Sequence, residues 1–461
     1  MKINVFVAEI GSTTTVVNAF QGVDSPCPVF LGQGQHPTTV NEGDVNIGLE
    51  GAINALKESL KVEDIEYDEM LATSSAAGGL KMTVHGLVYD MTVRAAKEAA
   101  LGAGANIHKI TAGKLMRGDL KKIQEIKPNI ILIAGGVDYG ERATAIENAE
   151  KIANLELNIP IIYAGNVENQ EEIIEIFNEK NQFNVFCVEN VYPKIDELNV
   201  EPTRAVIQDV FEEHIIHAPG MERIKEMVKG PIIPTPGAVM QASKLLKESL
   251  GDLITFDVGG ATTDLHSVTE GSEEINRILI SPEPVAKRTV EGDLGVYVNM
   301  ENIVSLMGLE NLENELPFDI TPIMDNYKAI PESDNEKQFV EKLTLEAVKV
   351  SLNRHGGKLR NLYGASGKTT VAEGKDLSNI QYIVGTGGAL TRLPNRINII
   401  KKAITEQESN LLGPTNEVQI LIDNHYIMAS LGVLSKAHPK AALSLLKESL
   451  GLKEDCNESK N

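Results

Sequence analysis

One pattern occurs twice in this chain and narrows the folds open to it. A β-branched apolar run, INVFVAEI at 3–10, is followed at once by Gly11-Ser12-Thr13-Thr14-Thr15 and carries Glu9 next to its end. About 250 residues later LITFDV at 253–258 carries Asp257 in the same place and runs into Gly259-Gly260-Ala261-Thr262-Thr263-Asp264. Each run reads as a buried strand that stops at a small, hydroxyl-rich turn. TTVVNAF (14–20) and LHSVTE (265–270) read as the return strands of two hairpins. The residue types suit one chemistry. Glycine lacks the Cβ that would keep the backbone away from a phosphate. The amides and hydroxyls that follow can donate to phosphate oxygens. An acid at the strand end can hold magnesium directly or through water. Either copy alone also describes an ordinary hairpin turn. Two copies describe two domains facing each other across a cleft, with a polyphosphate clamped between them and magnesium between the acids and the terminal phosphates.

A third motif, Gly385-Thr386-Gly387-Gly388, follows the strand QYIV at 381–384. Its glycines would let the backbone lie flat against an adenosine, and a plain strand-to-helix turn fits them equally well. Between the first two motifs the pattern changes. NIHKIT (106–111), NIILIAGG (129–136), IPIIYAGN (159–166) and FNVFCV (183–188) alternate with helix-period segments at 115–126, 141–154 and 168–178. Such alternation means parallel βαβ units, here a Rossmann-like insert. Its AGG and AGN ends fall at the carboxyl edge of the sheet, where such folds bind ligands or simply turn tightly. The expected division is a first domain at 1–104, the insert at 105–215, a Pro- and Gly-rich connector at 216–250 and a second domain at 251–461.

Composition removes other functions. With 43 Lys+Arg against 65 Asp+Glu the formal charge is −22, and basic runs are only pairs such as Lys121-Lys122 and Lys401-Lys402. A nucleic-acid partner, which needs a basic patch, is not expected. ATP remains compatible, because loops, helix N-termini and a metal bind phosphate without net positive charge. Cys27, Cys187 and Cys456 form no CxxC pair, which points to a reducing cytoplasm rather than to zinc or disulfides. No stretch approaches the roughly 20 apolar residues of a membrane span. GASGKTT at 364–370 imitates a P-loop, but Leu362 stands where its first glycine belongs, so an ordinary loop is expected. His214 and His217 lack the further ligands of a metal site.

The ordered trio resembles the phosphate-1, phosphate-2 and adenosine motifs of the actin/sugar-kinase/heat-shock-chaperone superfamily. ATSSAAGGLKMTVHGLV (72–88), IILIAGGVDYGERATAIENA (130–149), ITFDVGGATTDLHSV (254–268) and KRTVEGDLGV (287–296) resemble a narrower family, the glutamate-mutase-associated MutL/GlmL type, over nearly the whole chain. The resemblance implies an α/β fold of two actin-like ATPase (ribonuclease-H-like) domains around a nucleotide cleft. It implies that Gly11, Ser12, Thr13 and Thr14 contact phosphate from one side. Gly259, Gly260, Ala261, Thr262 and Thr263 would do so from the other. Glu9 and Asp257 would order Mg2+ and the attacking water; the superfamily commonly has Asp where this chain has Glu9. Gly385, Thr386, Gly387 and Gly388 would back the adenosine of ATP or ADP. Arg288, Glu291 and Asp293 fall where related ATPases place a helix near the nucleotide, or they form a solvated helix start. The implied activity is slow, partner-coupled ATP hydrolysis by a reactivating factor that releases damaged cobalamin from an adenosylcobalamin-dependent mutase. Glutamate mutase or ornithine/lysine aminomutase is the implied partner. A small-molecule kinase or a hydantoinase/oxoprolinase-type enzyme of the same superfamily is the alternative.

Overall fold

The structure is a computed structural model that describes residues 1–39, 42–75, 80–215, 221–364 and 367–452, with the backbone alone for 212–215 and 364. Strand β1 (Lys2–Ile10) is the middle of the first sheet. Antiparallel β2 (Thr14–Gln21) lies on one side of it, followed by β3 (Val29–Pro37). Parallel β4 (Glu66–Ser74) lies on the other side. Covered on both faces, β1 buries Ile3, Val5, Phe6, Val7, Ala8 and Ile10, which is why its sequence runs apolar instead of alternating. Helix α1 (Val45–Leu60), capped by the Asp44 carboxylate on the Asn46 N–H, packs its Leu49 and Leu56 face on this sheet. It sits so close to β3 that a Cβ on Gly34 would lie 2.0 Å from the Ala52 carbonyl oxygen.

Residues 81–187 build a second sheet. Its strands are β5 (Lys81–Gly86), β6 (Asn106–Ala112), β7 (Ile130–Ile133), β8 (Ile161–Tyr163) and β9 (Val185–Cys187). They are all parallel and ordered β6-β5-β7-β8-β9. The crossovers are α2 (Arg94–Gly102), α3 (Arg117–Ile126), α4 (Ala143–Ala153) and α5 (Gln170–Asn178). This is the expected Rossmann-like insert. Its first strand, KMTVHG, comes from the stretch expected to lie in the first domain. The AGG and AGN ends are tight turns packed on each other: a Cβ on Gly165 would lie 2.3 Å from the Gly135 nitrogen. The Asn166 carboxamide accepts from the Tyr139 and Glu168 N–H groups between them.

The chain returns through α6 (Glu201–Ile215) and α7 (Met221–Met227) to β10 (Ile232–Pro234), which pairs with β4 and completes the first sheet as β10-β4-β1-β2-β3. The stretch expected as a connector therefore supplies a strand, and α8 (Thr235–Leu250) follows it. The last sheet repeats the first. Strand β11 (Leu253–Val258) is central, antiparallel β12 (Thr263–Val268) and β13 (Ala286–Glu291) lie to one side, and parallel β16 (Tyr382–Thr386) and β17 (Gln419–Ile422) to the other. One strand order with a single reversed strand, β2 in one sheet and β12 in the other, used twice, is the expected ribonuclease-H-like pair of the actin-like fold. A core containing Val5, Phe20, Ile233, Leu246, Leu253, Val384 and Leu431 joins the two halves behind the cleft.

Two local readings change. The stretch holding Arg288 and Glu291 is β13 and not a helix start. GASGKTT falls on an exposed ribbon, β14 (Lys358–Gly364) with β15 (Gly367–Glu373), whose tip residues 365 and 366 lie outside the described ones. Among the described residues no helix is long and apolar enough to cross a membrane. His217 and Cys456 lie outside the described residues.

Candidate functional site

The two repeated motifs fold identically. Ile10 pairs with Thr15, and the Gly11 N–H donates to the Thr14 carbonyl at 2.9 Å. Val258 pairs with Thr263, and the Gly259 N–H donates to the Thr262 carbonyl at 3.0 Å. A Cβ on Gly11 would lie 2.5 Å from the Thr14 oxygen, so this turn closes only on glycine. The turns face each other: a Cβ on Gly260 would stand 3.9 Å from the Thr13 side chain. Between them opens a cleft of about 420 Å³, within the usual range for small-molecule sites. Glu9, Gly11, Ser12, Thr13 and Thr14 line it from the first half. Asp257, Gly259, Gly260, Ala261, Thr262 and Gly388 line it from the second.

Four of the sequence-derived positions lie behind this wall. Thr263 is buried and donates to the Leu294 carbonyl at 2.8 Å. Gly385 packs under Ile400 and Ile422, where a Cβ would lie 3.0–3.1 Å from their Cδ1 atoms. Thr386 donates to Asp423 at 2.9 Å. Gly387, at φ +84°, lies where a Cβ would stand 2.5 Å from the Val258 backbone and 2.6 Å from an Asp257 carboxylate oxygen. The third motif therefore supports the second one, and only Gly388 reaches the cleft.

The two acids lie in the cleft wall. Glu9 is 6% exposed, and among the described residues no hydrogen-bond donor reaches its carboxylate or that of Asp257. Burial, with Asp257 and Asp423 nearby, pushes the Glu9 carboxyl up to about 8. Burial and the facing Asp264, offset in part by Arg288, push Asp257 up to about 7. Buried carboxylates without donors are costly unless something neutralises them. No cluster of three or more His, Cys, Asp or Glu among the described residues has the arrangement of a metal cage. Mg2+ binds through one or two carboxylates and takes its other ligands from water and phosphate. Glu9 and Asp257 are the residues that would hold it, and it would supply neutralisation of charge on the terminal phosphates.

Several participants escaped the sequence reading. Asp423, at the end of β17, repeats the strand-then-acid pattern without glycines. Its oxygens are taken by Thr386, Ser449 and the Ile427 and Met428 N–H groups, so it shapes the field around Glu9 and is not a ligand. Tyr426 lines the cleft at φ +53°, a conformation costly for a non-glycine residue and common at functional sites. Arg392 lies 5.9 Å over its ring and donates to Gln35 at 2.6 Å, bridging the halves at the cleft. Tyr297, Ile330, Pro331, Val340 and Leu393 form an apolar wall suited to a planar base. The cleft also continues past the first turn between Ser75, Leu80, Asn106, Phe211 and Thr235.

A family model described as "MutL protein" matches residues 5–450. "Protein MutL" of Clostridium tetanomorphum is 34% identical over 457 residues, covering 96% of this chain and 98% of that protein. Among solved structures, a nucleotide-free diol dehydratase-reactivating factor is similar at TM-score 0.36 and 10% identity, over 95% of this chain and 100% of that one. Component A of (R)-2-hydroxyglutaryl-CoA dehydratase from Acidaminococcus fermentans is similar at TM-score 0.34 and 8% identity, over 95% and 99%.

Proposed function

The chain belongs to the MutL protein family, and from that premise we propose that it is an ATP-dependent reactivating factor for an adenosylcobalamin-dependent mutase. The observation that carries the proposal is the pair of matching acid-Gly-Thr turns, one from each half, facing across one cleft. In this reading the turns grip the phosphates of ATP or ADP. Glu9 and Asp257 order Mg2+ and a water in line with the terminal phosphate, and hydrolysis is slow without the partner. Because two halves share the ligand, ATP and ADP favour different closures only through differential contacts. Closure would open the cofactor site of the bound mutase and let damaged cobalamin leave. Glutamate mutase is the first candidate partner, and ornithine or lysine aminomutase the second. A reducing cytoplasm is part of this reading.

The test is recovery of a mutase inactivated by trapped, damaged cobalamin. Recovery should require this protein, ATP, Mg2+ and fresh adenosylcobalamin. The Asp257→Asn variant should fail and should hydrolyse ATP at least about tenfold more slowly, equivalent to roughly 1.4 kcal/mol of barrier. If neither class of mutase is rescued or bound in any nucleotide state, the proposal fails for those partners. One observation favours a second reading. The arm of the cleft between Ser75, Leu80, Asn106, Phe211 and Thr235 could seat a phosphoryl acceptor beside the terminal phosphate, as a small-molecule kinase requires. Metabolite-dependent ADP formation would decide for it.

A further inference from the structure

Strand β13 reads AKRTVE and is polar, yet it is largely buried. Its charges meet the insert. Arg288 is 1% exposed. Its Nε and Nη2 both donate to one oxygen of Asp264, at 2.9 and 2.6 Å. Its Nη1 donates to the Leu101 carbonyl at 3.0 Å and lies 3.5 Å from that of Ala105. Asp264 pairs directly opposite Asp257 in the register of β11 and β12, and its other oxygen accepts from the Thr262 hydroxyl in the phosphate-facing turn at 2.9 Å. Leu101 is the next-to-last residue of α2, and Ala105 precedes β6. One guanidinium thus spans from the floor of the nucleotide cleft to the C-terminal end of the insert's first crossover helix, where it joins the Gly104 N–H that donates to the same Leu101 carbonyl at 3.0 Å.

The neighbours of Arg288 extend the same seam. Lys287 pairs with Glu283 at 2.7 Å and stands 3.8 Å from Glu98 on α2. Arg204 on α6 donates to the Ala286 carbonyl at 2.7 Å and to that of Glu98 at 3.2 Å. Its guanidinium lies against Gly102, where a Cβ would stand 2.2 Å from Nε. Two buried atoms in this seam, Oε2 of Glu98 and Nε of Arg204, have no hydrogen-bond partner. An unpaired buried polar atom is costly, so this seam is held less tightly than one with every polar atom paired. Polar seams between packed elements are where small shifts at one site can become rigid-body movement at another.

We propose that Arg288 is a positioning residue that couples the nucleotide cleft to the insert: nucleotide fixes the second turn and Asp264, Asp264 fixes Arg288, and Arg288 sets the end of α2. The proposal rests on the ATP-binding reading of the cleft. It deepens that reading by naming the route to the part of the molecule the cleft itself does not need. Coupling is reciprocal, so a partner that holds the insert changes nucleotide affinity by the same factor.

The test is amide hydrogen exchange of the full chain, with and without Mg·ADP or a non-hydrolysable Mg·ATP analogue, read separately at 98–106 and at the turns 9–15 and 257–263. Calorimetry first establishes that nucleotide binds; absence of binding refutes the cleft reading and the coupling with it. In the unmodified protein, exchange at 98–106 should change at least about fivefold on binding, at the lower end of ordinary coupling strengths. In Arg288→Met that response should vanish while both turns still respond, and Arg288→Lys should restore part of it. A purely structural ion pair would leave the response of 98–106 intact in any variant that folds and binds. If Arg288→Met does not fold, Asp264→Asn should show the same selective loss. Nucleotide binding without any response at 98–106 in the unmodified protein overturns the proposal, as does an equal response in Arg288→Met.

Discussion

Gly387 and Gly388 are neighbours with opposite tolerances. Gly387 is left-handed, and its missing Cβ is the space occupied by the Val258 backbone and an Asp257 oxygen. Gly388 has no atom within 4 Å of its Cβ direction. Gly387→Ala should lower stability by about 1–3 kcal/mol and displace Asp257, weakening nucleotide binding. Gly388→Ala should unfold within about 0.5 kcal/mol of the unmodified protein. Urea titrations of both variants check the contrast; equal losses would mean the turn is more pliable than its geometry indicates. The place of Glu9 and Asp257 in the cleft wall was legible because the acid-glycine-hydroxyl turn occurs twice, where one copy alone would pass for an ordinary hairpin. Asp423 was not legible. No glycine turn follows it, and its setting comes from Thr386 and Ser449, which are distant in sequence.

Elements whose buried faces are polar were the ones the pattern hid. Strand β5 reads KMTVHG, and its polar members pair inside the insert: buried His85 is bonded to the Thr111 hydroxyl at 2.7 Å and the Thr83 hydroxyl at 3.0 Å. Strand β13 hides its charges in ion pairs with Asp264 and Glu283, and β10 is three residues long. Periodicity of apolar residues sees none of these. The parallel insert was legible because β7 and β8 are continuous apolar runs buried on both faces. The polar strand has a measurable consequence. Burial, reinforced by Lys109, holds the His85 imidazole neutral, down to about 3. As pH falls below about 6.5 the unfolded chain takes up a proton at this position and the folded chain does not, so stability is lost. Between pH 7.5 and 5.5 the loss from this one group should be about 1.4 kcal/mol. It should be missing in His85→Gln, compared by urea unfolding at the two pH values. Equal losses in both proteins would mean that the unmodified imidazole titrates in place.

At the scale of the molecule, two sheets of one strand order share a core at the back and open a cleft at the front. Polar ties cross between the halves near its base: Asn18 to Ser430 at 2.8 Å, Gln33 to the Tyr426 carbonyl at 3.2 Å, and Gln35 to Arg392 at 2.6 Å. The repeated turn announced this duplication in the sequence, but the ties did not, because each joins residues more than 350 positions apart. We propose the cleft as a magnesium-nucleotide clamp built from both halves. Isothermal titration of ATP into the unmodified protein, with Mg2+ and with the metal chelated, tests it most directly. A clamp of this kind gives saturable binding of one nucleotide per chain, tighter by at least about tenfold, or roughly 1.4 kcal/mol, when Mg2+ is present. No saturable heat up to about millimolar ATP with Mg2+ present, or binding indifferent to the metal, would contradict it.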